Sequence, residues 1–194
     1  MPMILNLPNA LTIARIAAVP VLIAVFYLPV PAAQWAALGV FAAAAITDWF
    51  DGWLARRWNQ YSDLGKMLDP IADKLLVAAA LFMLAAFGRL SVPSIVAAVA
   101  ILGREILISG LREFLAGRLS FPVTVLAKWK TMVQMVAICF LLLGAAAPWR
   151  IPAQAIGEVA LWIAAALTLI TGWDYFRRGL EFMTRPKSDA GAAE

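Results

Sequence analysis

Apolar stretches, each close to the roughly 20 residues that carry a helix across a bilayer's hydrocarbon core, recur along the whole chain. They run from Leu11 to Leu28, Trp35 to Trp53, about Asp69 to Phe87, about Val92 to Leu111, Val123 to Leu143 and about Ile156 to Phe176. In lipid a backbone must satisfy its polar groups within its own segment, so such stretches become helices. Composition agrees, with 63% hydrophobic residues and a mean hydropathy of +0.84, far above soluble domains. The expected fold is all-α and integral to the membrane, six transmembrane helices behind a short N-terminal interfacial segment. Residues 1–10 form that segment, with Asn9 as the expected N-cap of the first helix. Residues 11–180 form the six-helix transmembrane domain, and residues 181–194 a polar tail. MPMILNLPNALTIAR lacks a basic stretch before its apolar residues, so no cleaved signal peptide is expected.

Against this apolar background stands TDWFDGWLARRWNQYSDLGKMLDPIADK, residues 47–74. Asp48 and Asp51 are three apart and Asp69 and Asp73 four apart, so each pair lies on one helix face. The polar run Asn59-Gln60-Tyr61-Ser62-Asp63 breaks the chain between the pairs and predicts a helical hairpin, with residues 54–66 as its loop. The alanine runs at 42–45 and 78–80 are expected to let the second and third helices approach closely and bring the pairs together. The Asp69-Pro70 step fits either a helix start or a proline in the first turn. Clustered carboxylates in an apolar chain need a cation to offset their desolvation. Their hard oxygens suit Mg²⁺ or Mn²⁺, two ions being the natural stoichiometry for phosphoryl-type transfer. The chain has no histidine, and its single cysteine, Cys139, sits in an apolar run as a core residue.

The net charge of +4 comes from cations that cap hydrophobic spans, which speaks for lipid head groups and phosphorylated substrates and against nucleic acid. Arg15, Arg56, Arg57, Lys66, Lys74, Arg104, Arg112, Arg118, Lys128, Lys130, Arg177, Arg178, Arg185 and Lys187 fall on one side of a six-span arrangement, Arg89 and Arg150 on the other. The positive-inside rule then puts both termini and the aspartates on the cytoplasmic side, at the ends of the second and third helices. Arg104, Arg112, Lys128 and Lys130 gather near the same ends of the fourth and fifth spans, with Arg112 read in the loop between them. Such a cluster reads as a pocket for an acceptor that carries a phosphate.

Residues 48–73 match the signature D-x2-D-G-x2-A-R-x8-G-x3-D-x3-D at Asp48, Asp51, Gly52, Ala55, Arg56, Gly65, Asp69 and Asp73. On this the chain resembles the CDP-alcohol phosphatidyltransferases. The resemblance implies a CDP-diacylglycerol donor bound around Asn9, Thr12, Thr47, Gly52, Ala55, Arg56, Ser62 and Gly65, with Arg56 on the nucleotide diphosphate. It also implies divalent metal on Asp48, Asp51, Asp69 and Asp73, with Asp73 the catalytic base, and a homodimer in the bacterial inner membrane. NLPNALTIARI at 6–16, GREILISGLREFLAG at 103–117 and AKWKTMVQM at 127–135 are similar to the branch whose acceptor is glycerol-3-phosphate. Inositol-phosphate, serine or phosphatidylglycerol are the alternative acceptors. A cation-coupled transporter is a further alternative, disfavoured because the acids crowd one end of the chain's spans.

Overall fold

The computed structural model describes residues 7–58, 63–114 and 125–184. For Leu7, Pro8, residues 49–58, 63, 64, 66 and 67, Arg178 and residues 182–184 the backbone alone is described. Six α-helices make up the described chain: α1 (Leu7–Val25), α2 (Ala32–Trp58), α3 (Asp63–Ala86), α4 (Val92–Phe114), α5 (Val125–Leu143) and α6 (Ala153–Thr184). Two single turns of 3-10 helix, Gly144–Ala146 and Pro148–Arg150, lie between α5 and α6. By length and composition, three stretches can cross a membrane: Val92–Phe114, Val125–Ala146 and Ala153–Glu181; α1 and α2 carry shorter apolar runs, Asn9–Val25 and Ala32–Asp48. This is an all-helical membrane protein.

Several expected boundaries move. Asn9 does not cap α1; it lies inside the helix, which is described from Leu7, and is buried there. Residues 54–58 belong to α2 and residues 63–66 to α3, so they are helical instead of loop, and the expected break at residues 59–62 lies outside the described residues. Pro70 lies about two turns inside α3, so the Asp69-Pro70 step is neither a helix start nor a first-turn proline. Arg112 and Glu113 belong to the last turn of α4 rather than to a loop. At 32 residues and a rise of about 1.5 Å each, α6 is about 48 Å long, more than a hydrocarbon core is thick.

α1 packs along both α2 and α3, α5 along α6, α4 along α6, and α2 against α5. α2 and α3 barely meet, so the two aspartate pairs are not joined by a close α2–α3 contact as the alanine runs led one to expect. Ala44 and Ala80 are indeed buried packing residues. The helix between the two pairs is α1, and the reason is polar: it carries the cation both pairs share.

A single core of Leu22, Phe41, Leu76, Leu81, Leu84, Ile101, Ile138, Leu141, Leu142 and Leu161 fills the bundle, with alanines where helices come closest. One end is closed by a polar latch. The Glu158 carboxylate accepts from the Ser91 amide (3.1 Å), the hydroxyls of Ser91 (2.8 Å) and Ser94 (3.1 Å) and the Gln154 amide (3.1 Å). Gln154 also donates to the Arg89 carbonyl at 2.6 Å, and the Arg89 guanidinium lies over the Phe26 ring. This latch ties the starts of α4 and α6 together and leaves the opposite end of the bundle for the aspartates.

Candidate active site

The site begins on α1. Asn9, Thr12 and Arg15 follow one another at three-residue steps, so they form one polar stripe on a helix that is otherwise apolar. All three are buried, at 3%, 2% and 1% exposure, and a buried guanidinium must find anions. Arg15 Nη2 lies 2.9 Å from Asp48 Oδ1 on α2, and Nη1 donates to Asp73 Oδ1 on α3 at 2.7 Å. The planar fork of arginine suits this bridging in a way a single ammonium does not. Thr12 Oγ1 donates to Asp69 Oδ1 at 2.5 Å. One turn and a half of α1 thus holds an acid from the first pair and both acids of the second. The Asp48 and Asp73 side chains remain 41% and 43% exposed, so they are anchored yet open to a ligand.

Among the described side chains no group of three or more acids, histidines or cysteines is arranged as a finished metal site. The donor chemistry nevertheless fits a small hard divalent ion. Carboxylates from α2 and α3 converge on one point, the Asp48 and Asp73 carboxylates come close enough to interact directly, and Asp69 adds its charge nearby.

From Asp48 and Asp73 a polar cavity of about 280 Å³ extends between α3, α4 and α5, where Lys74, Arg104, Arg112 and Lys130 line it. α6 seats the arginines. Arg104 Nη2 donates to Thr171 Oγ1 at 3.0 Å, Arg112 Nη2 donates to Tyr175 Oη at 3.2 Å, and both guanidiniums lie against the Tyr175 ring, 5.9 and 5.0 Å from its centre. Gly172 permits this: a Cβ there would come within 2.8 Å of Arg104 Cγ and Nε. Lys130 Nζ is held 2.7 Å from Glu105 Oε1, so much of its charge is already matched. Lys74, whose Nζ donates to the Pro70 carbonyl at 2.9 Å, and the two arginines are the other cations that share the cavity with the aspartates. An apolar groove of about 840 Å³ between α4 and α6 adjoins the cavity, Arg104 and Ile108 lining both.

A model of the CDP-alcohol phosphatidyltransferase family matches residues 5–170, most of the chain. The chain belongs to that family. Members of this family in general depend on divalent metal. A CDP-diacylglycerol–glycerol-3-phosphate 3-phosphatidyltransferase of Rickettsia bellii is 51% identical over 173 residues, which cover 89% of this chain and 94% of the relative. Proteins with the same description from Shigella flexneri and Cereibacter sphaeroides are similar too. The first is 44% identical over 169 residues (84% of this chain, 89% of the relative), the second 41% over 218 aligned positions (94% and 99%).

Within this phosphatidyltransferase, three of the family-signature acids are brought to one place, and Thr12 joins them. Asp51, Gly52, Ala55 and Arg56 lie on the last turns of α2, with side chains outside the described part, and Ser62 lies outside the described residues altogether. Gly65 is buried in the first turn of α3. Thr47 donates its hydroxyl to the carbonyls of Ala43 (2.9 Å) and Ala44 (2.8 Å), one turn back along α2. Lys128 does not join Arg104, Arg112 and Lys130; it is exposed on α5, two residues and so nearly half a turn from Lys130. The sequence reading missed Arg15 as a site residue, treating it as a cation beside the membrane. The signal was the three-residue spacing of Asn9, Thr12 and Arg15. It missed Thr171 and Tyr175 as well, two polar residues four apart near the end of an apolar span.

Proposed function

We propose that this phosphatidyltransferase moves the phosphatidyl group of CDP-diacylglycerol onto glycerol-3-phosphate, giving phosphatidylglycerophosphate and CMP. What carries this reading is the single cavity in which Asp48 and Asp73 face Arg104 and Arg112. A diphosphate bound at the acids and a phosphate held by the arginines would place an acceptor hydroxyl between them. The names of the relatives, 41% to 51% identical, supply the same donor and acceptor.

In this reaction the acceptor's hydroxyl oxygen attacks the phosphorus that bears diacylglycerol. The bond from that phosphorus to the bridging oxygen of the diphosphate breaks, and CMP leaves with the electron pair. Asp73 takes the hydroxyl proton, from within the cavity. Mg²⁺ or Mn²⁺, two ions in our reading, would be held by Asp48, Asp51, Asp69 and Asp73 and would neutralise charge on the diphosphate. Asn9, Thr12, Thr47, Gly52, Ala55, Arg56, Ser62 and Gly65 would surround the CDP-lipid, with Arg56 on its diphosphate. Gly52, Ala55 and Gly65 keep side-chain bulk out of its way. Arg104 and Arg112 orient the acceptor phosphate, with Lys130 behind them, and the α4–α6 groove beside Arg104 suits a lipid tail.

All six helices span the bilayer in this reading, and the protein works as a homodimer in the bacterial inner membrane. The cavity opens toward the cytoplasm, where both termini lie, because its end of the bundle gathers nearly all the cations. The test is an assay of the purified protein offering CDP-diacylglycerol with glycerol-3-phosphate, serine, inositol-phosphate and phosphatidylglycerol in turn. CMP release with glycerol-3-phosphate alone supports the proposal. Faster release with another acceptor replaces the acceptor assignment, and release with none overturns the transfer.

A further inference from the structure

Arg15 has an arrangement unlike that of any other cation in the described bundle. It is 1% exposed, lies on a helix that supplies no signature acid, and bridges carboxylates from two helices that hardly touch each other. Without it, Asp48 and Asp73 would face one another with their charges unmatched whenever no ion is bound. Like charges that close repel, and water that reaches these half-exposed carboxylates screens the repulsion only in part.

We infer that Arg15 is a resident counter-ion that keeps the acids of α2 and α3 assembled in the metal-free protein, at the expense of weaker binding of the divalent ion. This rests on the reading that Asp48 and Asp73 hold metal. The physics has two opposing signs. A guanidinium shared by two carboxylates stabilises the metal-free arrangement, and the same positive charge repels a divalent cation placed beside it. Removing the charge should therefore loosen the empty site and tighten the filled one. A residue that merely packed α1 into the bundle would produce the first effect and not the second.

Three purified proteins in detergent separate these outcomes: wild type, Arg15→Gln and Arg15→Lys. The readouts are thermal unfolding with EDTA or with saturating Mg²⁺, and Mn²⁺ binding followed by electron paramagnetic resonance, neither of which needs turnover. In EDTA, Arg15→Gln should unfold at a clearly lower temperature than wild type, and Mg²⁺ should recover most of the difference. Its Mn²⁺ dissociation constant should fall by on the order of tenfold, the effect of one nearby unit charge on a divalent ion. Arg15→Lys keeps the charge but cannot fork to both acids, so it should bind Mn²⁺ about as wild type does while losing part of the metal-free stability. An Arg15→Gln protein equally destabilised with and without Mg²⁺, one that does not fold in either, or one that binds Mn²⁺ more weakly overturns the inference. A wild type that neither binds Mn²⁺ nor responds to Mg²⁺ overturns instead the metal reading beneath it.

Discussion

Asparagine in place of Asp73 is expected to lower CMP release by about 10²- to 10⁴-fold, the range that a positioned general base contributes. The substitution is close to isosteric. Its amide oxygen can still accept from Arg15 Nη1, now 2.7 Å from the carboxylate, so the contact between α1 and α3 survives in weakened form. What is lost is the ability to take a proton and one negative charge at the mouth of the cavity. Thermal unfolding in detergent should show a protein that still folds, and the lost rate should appear in kcat at saturating donor and acceptor. A variant that folds and turns over at nearly the wild-type rate would remove Asp73 from the role of base.

Arg112→Ala is expected to raise the KM for glycerol-3-phosphate by roughly 10- to 100-fold, as the loss of a charge-assisted hydrogen bond to a phosphate does. The KM for CDP-diacylglycerol should hardly change, because Arg112 stands across the cavity from the acids, on α4 against Tyr175 of α6. This substitution is cleaner than one at Lys130. Removing Lys130 would strand the Glu105 carboxylate, its partner at 2.7 Å, in a largely buried place, and the damage would mix binding with stability. Steady-state kinetics with each substrate varied in turn distinguishes the cases. Equal effects on both KM values would mean that Arg112 supports the site as a whole and does not recognise the acceptor.

What could be read from the sequence was whatever depends on neighbours along the chain. The spacing of Asp48 and Asp51, and of Asp69 and Asp73, put each pair on one helix, the first on α2 and the second on α3. Contacts across long stretches of chain were not legible. Thr12 meets Asp69 and Arg15 meets Asp73 across 57 and 58 positions, and no local pattern says that α1 lies between the two acid-bearing helices. Arg104 and Arg112 could be picked out as candidate phosphate ligands because both are cations near one helix end. Their seats on Thr171 and Tyr175, 67 and 63 positions away, could not. Lys128 failed for a simpler reason: two residues on a helix point well apart, so it and Lys130 cannot both face the cavity. Residues 54–58 lie in α2, so the expected loop is shorter at that end: the cations Arg56 and Arg57 do not stop a helix that the backbone continues through them.

The central claim is that carboxylates of α2 and α3, gathered on α1, work through a divalent ion on a nucleotide-activated lipid. The most direct measurement is CMP release from CDP-diacylglycerol and glycerol-3-phosphate after exhaustive chelation of the purified protein, followed by titration with Mg²⁺ and, separately, Mn²⁺. Activity that vanishes on chelation and returns with either ion is the predicted result. A protein that remains fully active without divalent metal would contradict the account.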